Sequence, residues 1–145
     1  MSLEHILYVT KNMDAEQWAG IACLYSDKNK STYAMSMFNM PGIKVTVLGD
    51  KGILGVGGIM FDGPGRGTLW MAHVEGWQKA MKEILKLVQD VISLSELRFI
   101  SALIKADNVK NIRFAEHIGL KNAGFKEAFG DGNEDFFEYT KVNRG

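Results

Sequence analysis

The chain has 145 residues, 17 basic and 17 acidic side chains, and one cysteine. That length suits one domain with its own core, expected over residues 1–145. The charge balance argues against nucleic acid as a partner, and a lone cysteine excludes a disulfide framework.

The amino-terminal stretch MSLEHILYV lacks both a basic flank and a long apolar core. It therefore reads as neither a signal peptide nor a membrane span, and a cytoplasmic protein is expected. Residues His5 to Val9 read as a first strand. Asp14 then caps a helix, with Gln17 completing a capping-box-like pair and Met13 and Trp18 at the positions of a hydrophobic staple. Trp18, Ile21, Ala22 and Tyr25 continue one apolar face. After a polar break, Ser31 can cap a second helix reaching Met40, which Pro41-Gly42 ends.

Ile43, Val45 and Val47 alternate as in a half-buried strand, and Ile53 to Phe61 makes its partner. Gly55, Gly57 and Gly58 within the partner point to a bulge or a close backbone approach. Thr68 to Val74 is a third, central strand. The run from Trp77 to Ser93 holds helical spacing through Ala80, Met81, Ile84, Leu85, Val88, Val91 and Ile92.

The most informative segment is Ile100 to Phe125. A strand-like run, Leu97 to Ile104, stops at Lys105-Ala106. Asp107 and Asn108 are N-cap candidates, since their side-chain oxygens can accept the first amides of a helix. Val109, Ile112, Ala115 and Ile118 share one face, Gly119 can close the helix in a left-handed conformation, and Leu120 can pack back on it. Strands at Phe125 to Phe129 and Asp135 to Val142 follow, joined by a tight turn at Asp131-Gly132.

The resulting order, β-α-α-β-β-β-α-β-α-β-β, together with the Asn108-to-Leu120 segment, resembles the GNAT (GCN5-related N-acetyltransferase) fold. That is an α/β fold with a mixed sheet: an antiparallel meander, a long helix, a parallel neighbour, a short helix and a final hairpin. Within that superfamily the chain resembles small GNAT-like proteins of tailed phages and prophages. The residues carrying this likeness are Asn108 at the head of its helix, Gly130-Asp131-Gly132 before a Phe-rich last strand, and Trp70 leading toward the long helix.

The resemblance implies acetyl-CoA, or another acyl-CoA, as cofactor, bound through Val74, Gln78, Lys79, Ala80, Lys82 and Asn108. A backbone amide of the central strand would polarise the thioester. The family's phosphate loop, Arg/Gln-x-x-Gly-x-Gly/Ala, maps onto Gln78 and the residues after it, but Met81 and Glu83 stand where small residues belong. A phenol common on the short helix maps to Ala115, flanked by Phe114 and Glu116. For proton transfer, His73 and Glu75 lie near the end of the central strand, where alternation puts both on one face. His5 and His117 have no evident partner, and Cys23 reads as buried packing.

Two other patterns fail on context. Gly63-Pro64-Gly65-Arg66-Gly67 precedes a strand rather than the helix a phosphate loop needs. Asp131, Asn133 and Asp135 open like a calcium loop, but Phe136 replaces its glycine and no helices flank it, so no metal is expected. Two functions follow: an N-acyltransferase acting on an amine, or a non-catalytic fold serving as a virion or assembly component among phage structural proteins.

Overall fold

The computed structural model describes residues 1–144. It opens with a helix, α1 (Leu3–Asn12), where a strand was expected. Ser2 caps it: its Oγ accepts the His5 amide at 3.2 Å, and the His5 ring nitrogen Nδ1 accepts the Ser2 amide at 3.4 Å. The run Ile6-Leu7-Tyr8-Val9 has strand-like composition, but Ile6, Val9 and Met13 recur at helical spacing and are all buried. Burial of that stripe outweighs the local preference. His5 also reaches Thr46 Oγ1 at 2.8 Å, a partner out of reach of local reading.

Helix α2 (Ala15–Ala22) begins as expected, with Asp14 accepting the Gln17 amide at 2.7 Å. Helix α3 (Lys30–Asn39) is capped by Asn29, which accepts from Thr32, rather than by Ser31. Strands β1 (Gly42–Gly49), β2 (Gly52–Gly63) and β3 (Arg66–His73) form the antiparallel meander. Gly58 marks a close approach: a Cβ there would collide with the carbonyl oxygen of Ile43 on β1. The expected long helix is divided into a 3₁₀ turn (Trp77–Ala80) and α4 (Met81–Ser95).

Strand β4 (Phe99–Lys105) leads to α5 (Val109–His117), then β5 (Lys121–Lys126) and β6 (Phe136–Val142). The six strands form one mixed sheet in the order β1-β2-β3-β4-β6-β5. Only β3 and β4 run parallel. On one face, α4 and α5 bury Ile84, Val91, Phe114 and Ile118 against Ile59, Ile100, Ala102 and Ile104. On the other, α1 and α3 bury Ile6, Val9, Tyr33 and Met37 against Val56, Trp70 and Ala72.

The α5 segment follows the sequence reading in its cap and close, but Val109, expected on the apolar face, is 53 % exposed at the helix start. Asn108 Oδ1 accepts the Asn111 amide at 3.1 Å. Gly119 closes the helix at φ 92°, and the Leu120 amide reaches back to the Ala115 carbonyl at 3.0 Å. Leu120 itself is buried, which anchors the exit of the chain. Asn108→Ala should therefore lower stability by about 1 kcal/mol in urea denaturation, the usual cost of losing an N-cap.

Candidate functional site

Strands β3 and β4 are paired only from Arg66 to Thr68 and from Phe99 to Ser101. Beyond that they part, and each continues alone for several residues. The Val74 amide donates to Leu54 on the β2 side at 2.9 Å. Peptide groups alternate sides along a strand, so Met71 and His73 aim their amide and carbonyl across the opening toward β4.

At His73 that edge is occupied by a side chain from α2. Gln17 Oε1 accepts the His73 amide at 2.9 Å, and Gln17 Nε2 donates to the His73 carbonyl at 2.7 Å. The carboxamide thus takes the place of a missing strand peptide. Its second Nε2 hydrogen goes to His73 Nδ1 at 3.0 Å. Nδ1 is consequently an acceptor and the ring proton sits on Nε2. Burial lowers the His73 pKa to about 4, with Asp14 opposing the shift, so the imidazole is neutral at pH 7.

The His73 ring also lies on Trp77, with centroids 3.9 Å apart, and Trp77 meets Phe114 of α5 edge-on at 6.2 Å. Trp77 is buried. An aromatic ladder therefore crosses from the end of β3 to the short helix.

The parted strands open into a groove of about 240 Å³. One wall is made by Ile21, Leu24 and Tyr25 from the α2 region and by Tyr33 and Met37 of α3. The other side carries Leu103 and Lys105 of β4, Asn108, and Asn111 and Ala115 of α5. Burial raises the pKa of both tyrosines, Tyr33 with a further contribution from Tyr25, so both are neutral phenols.

Among the residues singled out from sequence, His73 and Asn108 line this groove. Glu75 does not share a strand face with His73, because β3 ends at His73 and Glu75 lies exposed in the following turn. The partner of His73 is Gln17 instead. Gln17 does not return to Asp14 as a capping box would; the edge of β3 offers its carboxamide three hydrogen bonds. Gln78, Lys79 and Lys82 are exposed and Ala80 is half-buried, in the turn entering α4. That turn passes through left-handed Gly76, φ 86°. Met81 packs on the core beneath α4, and Glu83 points to solvent. Ala115 is buried, Glu116 is exposed, and Cys23 is buried with its thiol pKa pushed up by desolvation. Among the described residues, no cluster suited to a metal ion exists.

Tyr25, Tyr33 and Gln17 escaped the functional reading of the sequence. The first two follow the spacing of a core face, and Gln17 follows a capping pattern, so no local signal distinguishes them.

The His73 pKa sets a pH dependence of stability. Its folded value lies below the ordinary 6.5, so on acidification the unfolded chain takes up the proton first. The contribution is complete above pH 6.5 and is lost as pH falls toward 4. Over that window it amounts to roughly 3 kcal/mol. Urea midpoints should drop between those pH values, and His73→Phe should flatten the slope.

No protein-family model matches the sequence, and no curated protein matches it significantly. Its likeness to solved structures extends over nearly the whole chain. The ribosomal-protein-S18-alanine N-acetyltransferase of Escherichia coli is 14 % identical, with TM-score 0.71, covering 97 % of this chain and 86 % of that one. A GNAT-family acetyltransferase of Bacillus anthracis is 15 % identical, with TM-score 0.68 and coverages of 97 % and 88 %. A point mutant of the spermidine N-acetyltransferase of Vibrio cholerae is 11 % identical, with TM-score 0.69 and coverages of 98 % and 90 %. With its meander, parted parallel pair, short capped helix and final hairpin, this chain has the GNAT acetyltransferase fold.

Proposed function

We propose that the protein is an acyl-CoA-dependent N-acyltransferase, with acetyl-CoA as donor and a small amine as acceptor. The observation that carries this reading is the open edge of β3. There the Met71 peptide faces a groove that runs between α2, α3 and α5. Acetyl-CoA, when bound, supplies an acyl group activated as a thioester.

The Met71 amide is the central-strand donor available to polarise the thioester carbonyl, because Val74 already donates to Leu54. An amine held in the groove would form its bond to the acyl carbon as the carbon–sulfur bond breaks. Glu75, exposed just beyond β3, takes the ammonium proton directly or through water. His73 is too weakly basic for that task at pH 7 and acts as a fixed donor through Nε2–H. The leaving thiolate takes its proton from solvent, since Ala115 offers none.

Phosphates of the donor would be held at the entrance to α4. The Met81 amide there already donates to the Gln78 carbonyl and the Lys79 amide to Gly76, so an anion would be met mainly by the side chains of Gln78, Lys79 and Lys82. Asn108 spends its Oδ1 on the α5 cap, leaving Nδ2 to donate to the donor's arm. Beyond Gly76 the entrance has no glycine that would let the phosphates approach the backbone closely.

A second reading is favoured by Trp77, which wedges between His73 and Phe114 beside that entrance. In it the fold is non-catalytic and serves as a virion or assembly component. Both readings are compatible with a phage or prophage origin, which rests on Asn108, the Gly130-Asp131-Gly132 turn and Trp70.

Calorimetric titration with acetyl-CoA separates the two. The acyltransferase should bind weakly, at about 100 μM or poorer, equivalent to roughly 5 kcal/mol. Lys79→Ala and Lys82→Ala should weaken binding further, and more so at low salt, where exposed charges are less screened. Absence of heat at millimolar acetyl-CoA leaves the non-catalytic reading standing.

A further inference from the structure

The groove has a charge pattern that selects among amines. Among the described residues, no aspartate or glutamate lines it, and its one charged lining side chain is Lys105. The orientation of Lys105 follows from its strand. Ile100, Ala102 and Ile104 point into the core beneath α4 and α5, so Leu103 and Lys105 point to the opposite side, toward α2 and α3. The charges of Glu134 and, more weakly, Lys105 act on the Cys23 thiol at the end of α2, consistent with that placement.

The Lys105 ammonium is only loosely engaged. Its Nζ lies 3.6 Å from Asp107 Oδ2, and the Asp107 side chain is 77 % exposed. A pair of that length with an exposed partner is weak and gives way readily to a better anion. Nearby acids stand outside the groove lining, Glu138 opposite Leu103 on β6 among them. Asp131 pairs with Lys28 at 3.0 Å, and Glu134 Oε1 accepts the Gly132 amide at 2.7 Å. Opposite Lys105, the wall presents Ile21, Leu24, Tyr25, Tyr33 and Met37.

A polyamine or a lysine-rich peptide brings additional positive charges into the groove. They would meet a cation, apolar side chains and neutral polar groups such as Asn108 and Asn111 there, with no lining carboxylate to receive them. An amine with a carboxylate and an apolar body meets the reverse: an ammonium for its anion and aromatic and aliphatic surface for its body. We infer that the acceptor is a small amino acid-like amine with an aromatic or aliphatic body, its carboxylate held by Lys105 and its body laid against Tyr25 and Tyr33. The inference rests on the groove being the acceptor site of an acyltransferase.

Binding of acetylated products tests it without requiring turnover. The probes are N-acetyl-L-phenylalanine, N-acetylphenethylamine, which lacks the carboxylate, and N1-acetylspermidine, each titrated by NMR into the wild-type chain and Lys105→Met. N-acetyl-L-phenylalanine should bind wild type at least about tenfold more tightly than N1-acetylspermidine, and Lys105→Met should remove about tenfold of that affinity. N-acetylphenethylamine should bind both proteins equally, which also verifies that the variant is folded.

Tighter binding of N1-acetylspermidine, no binding of N-acetyl-L-phenylalanine, or an affinity for it that ignores Lys105→Met overturns the inference. Acetyl-CoA titration of the same samples keeps the two conclusions separate. Lys105-dependent binding of N-acetyl-L-phenylalanine without acetyl-CoA binding supports the anion-reading groove and removes the acyltransferase. Acetyl-CoA binding with transfer to spermidine in preference to phenylalanine does the opposite.

Discussion

The parting of β3 from β4 is the constraint on which the rest of this molecule depends. Two neighbouring strands that separate inside a fold expose peptide groups that water reaches poorly, and each unmet group costs on the order of 1–3 kcal/mol. Here the carboxamide of Gln17 meets both backbone groups of His73. The same contact ties α2 to the end of the central strand and so sets where the α2 wall of the groove stands. Met71, two residues earlier, keeps its peptide directed into the opening. One edge is thereby divided into a satisfied, structural position and an open position suited to a ligand.

The Gln17 contact also determines the electrostatics of the site. By donating to Nδ1 it assigns the His73 proton to Nε2, and burial against Trp77 keeps the ring neutral. A neutral imidazole, two neutral phenols and a row of aliphatic side chains leave Lys105 as the principal charge in the groove. Glu75 lies outside the groove, in solvent.

The entrance to α4 departs most from a phosphate-binding design. Met81 contributes to the core beneath α4, and Trp77 packs between His73 and Phe114. Both side chains stabilise the fold by burying apolar area, while glycine at these places would leave the backbone nearer to a ligand. The residues present at this turn favour packing.

Much of the fold was legible because its signals are local. The Asp14 cap, the Asn108-to-Leu120 helix and its close, and the turn at Asp131-Gly132 each depend on partners within a few residues. The alternation of Ile43, Val45 and Val47 depends only on the pleat. The parallel pairing was an expectation of the fold resemblance, whereas from α2 onward the order of elements follows from such signals. The first helix did not, since its β-branched and aromatic residues favour a strand until Ile6, Val9 and Met13 have a core to enter.

The candidate site was legible only in part, at His73 and Asn108. Its organising contact joins residues 56 apart in sequence, Gln17 and His73, and nothing near Gln17 distinguishes that role from a helix cap. Tyr25, Tyr33 and Lys105 likewise converge only once α2, α3 and β4 are packed on one sheet. The amino-acid sequence by itself determined the succession of elements from α2 onward, because caps, turns and periodicity act over short stretches of chain. Tertiary structure alone decided which side chains face the opening and in what charge state, because burial and long-range hydrogen bonds arise only when distant segments meet.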